Sequence, residues 1–316
     1  MKTLAGKTAL VTGSASGIGR AIAIELARQH VDLFLVDLDH ERLAETTDEV
    51  RQHHPQVTAH VADLTRTEDI QGIVDRLLNR WNGVDILVNN AGVAFHGSTH
   101  NMTDEHWDRV MAVNMTAPIL LTRKLLPAML GRSEAHILNV CSIAGLVAAP
   151  RTAAYHASKF GLVGFSESLR AEYGPRGLGV TALCPGFVRT EIFRSTVVVS
   201  QRKPAPTPPA FLTTTPERVA RRAIRAIHRA EGVVVITPFA NAMWRFKRFA
   251  PGLFDRLQQF RRFKHKTGPI QYIPAPVPSA VPFSPPTQEG TAEYPADEAR
   301  HILPFPASGE QRRHAA

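Results

Sequence analysis

Short apolar runs alternate with helical patterns over the first 240 residues of the chain. Seven runs have the length of a β-strand and are apolar almost throughout: KTALVTG, DLFLVDLD, VTAHVADL, VDILVNNAG, HILNVCS, GVTALCPG and GVVVITP. Between them, stretches such as GRAIAIELARQH repeat apolar residues at helical spacing, and a long helix is predicted from about residue 103 to 130. Strands that are apolar on both faces and alternate with helices are typical of a parallel sheet covered on both sides. The pattern predicts one α/β, doubly wound domain over residues 1–240.

Two segments after residue 240 do not continue this alternation. Residues 241–267 mix aromatic and basic side chains and predict a basic, amphipathic helical segment. After a Pro-Gly break, the apolar residues of this segment follow one helical stripe: Leu253, Phe254, Leu257 and Phe260. Residues 268–316 show no helical or strand period and hold ten of the 23 prolines, which predicts a Pro-rich, disordered tail.

Most of the net charge lies in the first of these two segments. Residues 241–266 carry eight Lys or Arg against one acid, a net +7 out of +9 for the whole chain. Two interpretations stay open. The helix lies on an anionic bilayer, or it packs its apolar stripe on the domain beside the substrate opening and leaves its arginines in solvent. No base-reading module accompanies the charge, so nucleic-acid binding is not expected.

The cysteine and hydropathy patterns exclude several classes of protein. Two cysteines, Cys141 and Cys184, are too few for a disulfide-rich secreted scaffold, and they do not have metal-ligand spacing. No run approaches the ~20 apolar residues that cross a bilayer, and a strand pattern begins near the N-terminus where a signal peptide would lie. We therefore expect a cytoplasmic protein without a bound metal, peripheral on the membrane if residues 241–266 bind lipid.

A glycine-rich loop follows the first predicted strand. In LVTGSASGIGRAIA, Gly13, Gly17 and Gly19 lie between this strand and the start of a helix. Glycines let the backbone approach a pyrophosphate, and the helix N-terminus offers N–H groups and positive potential. The spacing G-x-x-x-G-x-G departs from the usual G-x-G-x-x-G fingerprint, so on this motif alone a tight turn without a ligand stays open.

Aspartates end the second and third predicted strands. Asp37 lies 18 residues after Gly19, where a carboxylate can accept both ribose hydroxyls of an adenosine and would repel a 2′-phosphate. It favours NAD over NADP, because the loop GSASGIG has no Lys or Arg to offset the negative charge. Asp63 in VADLT could contact the adenine amino group. The structural alternatives are a polar strand cap for Asp37 and a helix N-cap for Asp63.

Six short motifs follow one another between about residues 4 and 240. They are TGSASGIG, NNAG at residues 89–92, Asn114 in VMAVNMTAP, Ser142 in NVCSIAG, YHASK, and PGFVRT at residues 185–190. In this order and spacing they resemble the short-chain dehydrogenase/reductase family in its compact subtype. The resemblance implies a Rossmann-type fold, a nicotinamide cofactor and a homodimer or homotetramer, and it carries little beyond residue 239.

The resemblance implies a proton-transfer role for the YHASK motif. Tyr155 and Lys159 are one helical turn apart and share a face. In the family the tyrosine exchanges a proton with the substrate oxygen. The nearby ammonium is expected to lower the phenol pKa from its usual value of about 10. Ser142 would hold the substrate oxygen, and Asn114 would connect Lys159 to solvent through water.

The same resemblance implies which residues contact the cofactor. They belong to the glycine loop, the strand ends and the catalytic pair: Gly13, Ser14, Ser16, Gly17, Ile18, Gly19, Asp37, Asp63, Leu64, Asn90, Ala91, Gly92, Tyr155, Lys159, Pro185, Gly186, Val188 and Thr190. Val188 and Thr190 would hold the nicotinamide carboxamide and so fix which ring face gives the hydride. His156, next to Tyr155, is expected to face away from the substrate.

The substrate side is predicted to be apolar. Residues 190–215 form a mobile flap in the family, and Phe95, Ile143, Leu146 and Phe187 could add to the same wall. The expected function is an oxidoreductase that transfers a hydride between NAD and the hydroxyl or ketone of a lipophilic molecule, whether steroid-like, retinoid-like, long-chain or aromatic. The alternatives are an NADPH-dependent ketoacyl reductase that receives an acidic carrier protein, and a membrane-surface or scaffold protein that keeps the nucleotide fold without turnover.

Overall fold

Seven strands form one parallel sheet in the computed structural model, which describes residues 1–189, 197–198, 209 and 212–260. The strands are β1 (Thr8–Thr12), β2 (Asp32–Asp37), β3 (Val57–Val61), β4 (Ile86–Asn89), β6 (Ala135–Val140), β7 (Leu178–Pro185) and β11 (Val233–Ile236). Their order across the sheet is β11-β7-β6-β4-β1-β2-β3, and every neighbouring pair is parallel. The prediction of a doubly wound α/β fold with about seven strands is confirmed.

Helices cover both faces of this sheet. They are α1 (Gly17–Arg28), α2 (His40–Arg51), α3 (Thr67–Trp81), α4 (Asp104–Met111), α5 (Ala117–Leu130), α6 (Ala153–Tyr173), α7 (Pro216–Arg229), α8 (Pro238–Phe249) and α9 (Pro251–Phe260). Helices α1, α2 and α7 enclose one core, and α3, α5 and α6 enclose the other. Successive residues of a strand point to opposite faces, so Val11 joins the first core and Leu10 the second.

The predicted long helix over residues 103–130 is not uniform. It consists of α4, a π-helical turn at Ala112–Thr116, and α5. The π-turn contains Asn114, whose side chain is fully buried. Such turns insert an extra residue into a helix and often lie at functional sites. A hydrophobic pattern cannot distinguish this turn from regular helix, because both place apolar residues on the same broad face.

Two short strand pairs lie outside the main sheet and were not predicted. Strand β5 (Phe95–His96) pairs with β9 (Val197–Val198), and β8 (Phe187–Val188) pairs with β10 (Thr213–Thr214). Both pairs involve residues of the segment predicted to be a flap. Residues 190–196, 199–208 and 210–211 of that segment, Thr190 among them, lie outside the described residues.

The C-terminal helices begin earlier than predicted. Helix α8 starts at Pro238, so the proposed boundary at residue 240 falls within it. The break expected at Pro-Gly is present, because α8 ends at Phe249 and α9 begins at Pro251. Residues 261–267 and the Pro-rich segment 268–316 lie outside the described residues, so the three-part division of the chain stays a prediction. Of the helices that the structure describes, none has the length and apolar content to cross a membrane.

A buried histidine couples the sheet to pH. His136 of β6 is fully buried, and its Nε2 lies 2.9 Å from the hydroxyl of Thr181 in β7. Thr181 donates its own proton to the carbonyl of Glu231, so it accepts from His136 and the imidazole is neutral. Burial, with the positive charges of the N-terminus and Arg170, lowers the pKa of His136 to about 3.

We expect His136 to make the fold less stable in acid. Between pH 6.5 and about 3 the unfolded chain binds a proton at this residue and the folded chain does not. The free energy of unfolding should therefore fall with pH by up to about 1.4 kcal/mol per unit from this group. Chemical denaturation over this range should show a shallower slope for His136→Gln. The exposed His53→Gln is the control, and equal slopes for His136→Gln and wild type would contradict the assignment.

Candidate active site

A cleft of about 950 Å³ opens at the carboxyl ends of the strands. Parallel strands end at one edge of a sheet, and ligands bind there at the point where the strand order reverses, here between β1 and β4. Twelve of the predicted site residues line this cleft: Gly13, Ser16, Gly17, Ile18, Asp37, Asp63, Leu64, Asn90, Ala91, Gly92, Tyr155 and Lys159. The structure thus brings together residues that lie up to 146 positions apart.

The remaining predicted residues fall around the cleft. Ser14 is buried, and its hydroxyl donates to the Val36 carbonyl at 3.2 Å, so it fixes the loop and does not face the cleft. Other predicted residues support the walls of the cleft without lining it: Gly19, Asn114, Ser142, Pro185, Gly186 and Val188.

The glycine loop is locked to the NNAG turn. The amide of Asn90 donates to the carbonyls of Thr12 (3.0 Å) and Gly13 (2.9 Å). Gly13 has φ +64°, and a Cβ there would lie 2.7 Å from the Ala91 Cα. A Cβ on Gly19 would overlap the Gly13 carbonyl oxygen and the Asn90 amide. Glycine is therefore required by contacts inside the loop, and the resulting cradle at the N-terminus of α1 fits a dinucleotide pyrophosphate.

Asp37 faces the far end of the cleft with its carboxylate held by backbone amides. One oxygen accepts from Ala15 N (2.9 Å), and the other accepts from Leu38 N (2.8 Å) and Asp39 N (3.1 Å). Two cations of helices α1 and α2 form ion pairs, since Arg20 contacts Glu49 and Arg42 lies 3.6 Å from Asp39. Asp37 therefore caps the end of its strand and also lines the cleft, and its contact with a ribose stays a prediction.

Asp63 is not the N-cap that the alternative interpretation assigned to it. It accepts hydrogen bonds from the backbone N–H (2.9 Å) and the hydroxyl (2.8 Å) of Thr65, while the N-cap of α3 is Arg66. The backbone hydrogen bond from Thr65 is the main reason why the pKa of Asp63 is lowered. The carboxylate thus closes the turn before α3 and lines the cleft beside Leu64.

Tyr155 and Lys159 project from α6 toward the end of β6. The Lys159 Nζ lies 5.8 Å from the centre of the Tyr155 ring and donates to the Val140 carbonyl at 2.9 Å. Lys159 is only 3% exposed. Ser142 lies two residues after the end of β6, where its hydroxyl accepts from Ala144 N at 3.1 Å and hydrogen-bonds with Tyr155. Ser142 therefore caps the turn after β6 and also lies beside the phenol.

Asn114 contacts the turn after NNAG. Its side-chain oxygen accepts from Val93 N at 2.8 Å, and its nitrogen donates to Val93 O (2.9 Å) and to the Ser158 hydroxyl (3.1 Å). A Cβ on Gly92 would lie 3.5 Å from the Asn114 oxygen and 3.6 Å from the Lys159 Nζ. The absent side chain of Gly92 leaves a gap between the two groups in which a water molecule can bridge them.

The expected lowering of the Tyr155 pKa by the nearby ammonium is not what the structure gives. Burial raises the pKa of Tyr155 to about 12, and the hydrogen bond with Ser142 only partly opposes this. Burial also lowers the pKa of Lys159. Loss of solvent disfavours the charged form of each group, and at this depth it outweighs their mutual attraction. The phenol therefore holds its proton at neutral pH.

His156 faces away from the phenol, as predicted, and holds the loop that connects Ser142 to α6. Its Nδ1 donates to the Ala144 carbonyl at 2.7 Å, and its Nε2 accepts from Ala149 N at 2.8 Å. The C-terminal helices hold the same loop from outside. The Lys247 Nζ donates to Leu146 O at 2.9 Å, and the Gln258 amide donates to Ala148 O at 3.0 Å. These two contacts join residues more than 100 positions apart and were not predicted from the sequence.

The predicted substrate wall is only partly available. Phe95 is buried in a small cluster with Val110 and Ala154, so it does not face a substrate. Phe187 stacks on Phe239 of α8, with ring centres 6.4 Å apart. Phe187 therefore packs against α8, a contact that the sequence did not predict, and neither ring lines the cleft.

Two further observations concern the chemistry of cysteines and metals. Cys141 and Cys184 are free and buried, and the hydrogen bond between them, followed by burial, raises the pKa of the Cys184 thiol. Both are thus small core residues. Within the described part of the chain, no cluster of three or more His, Cys, Asp or Glu is arranged to hold a metal.

Comparison with known proteins places this geometry among nicotinamide enzymes. The family model described as short chain dehydrogenase matches residues 7–198. The putative ketoacyl reductase 1 of the granaticin polyketide synthase of Streptomyces violaceoruber is 40% identical over 190 residues, 60% of this chain and 70% of that protein. A short chain dehydrogenase/reductase from Burkholderia phymatum in complex with NAD has a TM-score of 0.71 at 29% identity, over 80% of this chain and 96% of the other. A short-chain dehydrogenase from Sphingobium yanoikuyae in complex with NADPH has a TM-score of 0.67 at 28% identity, over 83% and 98%.

The glycine loop yields a direct test of the cradle. Gly19→Ala should force the Gly13 carbonyl and Asn90 apart and weaken binding of the reduced cofactor by at least about tenfold, near 1.4 kcal/mol. Gly72→Ala is the matched control, because it lies in helix α3 with open space where its Cβ would be. It should bind normally and gain up to about 1 kcal/mol of stability. Cofactor fluorescence titration measures both, and normal affinity in Gly19→Ala would refute the tight fit.

Proposed function

The chain belongs to the short-chain dehydrogenase family, and from this premise we propose that it transfers a hydride between NAD and the hydroxyl or ketone of a lipophilic small molecule. Family membership makes it an NAD(P)-dependent oxidoreductase. The observation that carries the proposal is that Tyr155 and Lys159 line one cleft with the glycine cradle, while Ser142 hydrogen-bonds with the Tyr155 phenol. This set also argues against a scaffold protein without turnover.

In this proposal Tyr155 is the general acid and base. With a pKa of about 12 its phenol is protonated and can donate to the oxygen of a ketone as the alcohol forms. Ser142, which hydrogen-bonds with the phenol, would hold the same oxygen. The bound cofactor supplies or accepts the hydride, and its oxidised ring adds positive charge. In the oxidative direction Lys159 would stabilise the phenolate, because an ammonium favours the charged form of a neighbouring acid.

The proton path proposed behind Tyr155 runs through Lys159 and Asn114. The Asn114 side chain is anchored on Val93 and Ser158, so it is fixed in place. The gap left by Gly92 separates its oxygen from the Lys159 Nζ. In the oxidative direction a water in this gap would carry a proton away from Lys159 while Lys159 regains one from the Tyr155 phenol, which restores the phenolate and the ammonium for the next turnover.

Removal of the phenol proton should stop turnover. We expect Tyr155→Phe to lower kcat by at least ~10², while the cofactor still binds, because only the proton donor is lost. Tyr173→Phe, at the far end of the same helix, is the matched control and should turn over normally. The assay mixes the protein with NAD or NADP and a panel of lipophilic alcohols and ketones and follows the absorbance of the reduced cofactor. Near-normal turnover in Tyr155→Phe would remove the proposed role.

The preference for NAD rests on Asp37. Its carboxylate lines the cleft. Arg20 forms an ion pair with Glu49, and Arg42 forms one with Asp39. A 2′-phosphate would therefore meet a negative charge without a dedicated partner. Similar structures hold NAD or NADPH, so likeness alone does not decide between the two cofactors.

Replacement of Asp37 should narrow the choice of cofactor. We expect wild-type kcat/KM to favour NAD by at least about tenfold, near 1.4 kcal/mol, and Asp37→Ala to reduce this ratio. Asp48→Ala removes an exposed carboxylate from α2 and should leave the ratio unchanged. A wild-type enzyme that uses NADP more efficiently would overturn the proposal.

For the substrate we propose an apolar alcohol or ketone. The support is the aromatic stack of Phe187 on Phe239, which lies just before the segment predicted to be the flap. A second candidate is an NADPH-dependent ketoacyl reductase, which the 40% identity to such a protein favours and Asp37 disfavours. We also propose a homodimer or homotetramer through the faces of α4, α5 and α6, where Trp107 and Phe160 are each 38% exposed.

A further inference from the structure

Helices α8 and α9 present an outward face that combines arginines with large apolar side chains. We propose that this face docks on an anionic lipid bilayer. The α8–α9 face is made of three arginines and three apolar residues: Arg245, Arg248, Phe249, Leu253, Arg256 and Leu257. The inference does not depend on which cofactor or substrate the enzyme uses.

The first half of the face is a single stripe of α8. The exposed residues of α8 fall at helical spacing and so lie on one side of the helix: Pro238, Phe239, Ala242, Arg245, Arg248 and Phe249. Phe249 is 83% exposed, more than any other large apolar residue that the structure describes. Contiguous exposed apolar side chains on a protein surface mark an interaction site.

The second half is the outer side of α9. Leu253 and Leu257 are one helical turn apart, and they are 53% and 52% exposed. Arg256 lies beside them and is also exposed. The predicted stripe is thus divided, because Phe254 turns inward, is 4% exposed, and meets the ring of Phe246 edge to face with centres 5.7 Å apart.

The packing of these helices on the domain does not use the outward face. Lys247 donates to Leu146 O and lies 4.8 Å above the Phe160 ring, and Gln258 donates to Ala148 O. Together with Phe254, these contacts attach α8 and α9 through their inner sides. Both interpretations left open by the sequence are therefore compatible, since one side packs and the other remains available.

Charge selects the occupant of the face. In residues 238–260 the acid is Asp255, against four Lys or Arg, and residues 261–266 add four more basic residues in the sequence. Two copies that met through this face would bring like charges together, which disfavours self-association there. Apolar side chains flanked by arginines are the composition of helices that lie in the interface of an anionic membrane.

The test is cosedimentation of the full-length protein with vesicles. Vesicles of phosphatidylcholine alone are compared with vesicles that also contain phosphatidylserine, at low and at high salt. We expect binding only with phosphatidylserine and weaker binding at high salt, because the attraction is screened. The triple variant Arg245→Gln, Arg248→Gln, Arg256→Gln should bind on the order of 10- to 100-fold more weakly. The variant Phe249→Ser, Leu253→Ser, Leu257→Ser should also lose binding.

The matched control removes the same charge from another helix. Arg218, Arg221 and Arg225 are exposed on α7, whose apolar residues are buried, so their replacement by Gln should leave binding intact. Thermal melting checks that every variant is folded. Three results would overturn the proposal: no binding to phosphatidylserine vesicles, equal loss in the α7 control, or full binding after removal of the apolar residues. The last result would show that the vesicles attract the basic residues by charge alone and that the apolar residues of the face do not dock.

Discussion

The close approach of α6 to its neighbours is the constraint on which the active site depends. A Cβ on Gly145 would lie 2.6 Å from the carbonyl oxygen of Lys159, so the turn after Ser142 touches the backbone of α6 directly. A Cβ on Gly161 would lie 2.8 Å from the sulfur of Met115, so α6 also touches the π-turn. Two glycines thus set the separation of three elements, and with it the distances among the side chains that these elements carry.

This packing has an electrostatic consequence. The packing buries Lys159 and part of Tyr155. Burial favours the neutral form of each group, so it raises the pKa of the phenol and lowers the pKa of the ammonium. The i, i+4 spacing of Tyr155 and Lys159 is therefore not sufficient to lower the pKa of the phenol. The hydrogen bond from the ammonium to Val140 O favours the charged form of Lys159. A positive charge that stabilises a buried phenolate would come from the oxidised cofactor.

The sequence was informative wherever local chemistry determined structure. Near-continuous apolar strands predicted the sheet, and the glycine and NNAG motifs marked two turns that prove to interlock through Asn90. It was uninformative where the deciding term was burial or a distant contact. The pKa of Tyr155 depends on how much of the chain covers it, and the hydrogen bonds of Lys247 and Gln258 join segments 101 and 110 residues apart. The π-turn at Asn114 was likewise invisible, because it changes the hydrogen bonds of the helix and not its apolar face.

The loop between Ser142 and α6 contacts both the catalytic helix and the C-terminal helices. From inside it is fixed by His156, one residue from Tyr155, and from outside by Lys247 and Gln258, which belong to the helices that carry the outward basic and apolar face. Lys247 and Gln258 neighbour Arg248 and Leu257 on these helices, and both donate to backbone carbonyls of the loop itself. Ser142 therefore begins a loop that is held by helices outside residues 7–198, the part of the chain that the family model matches.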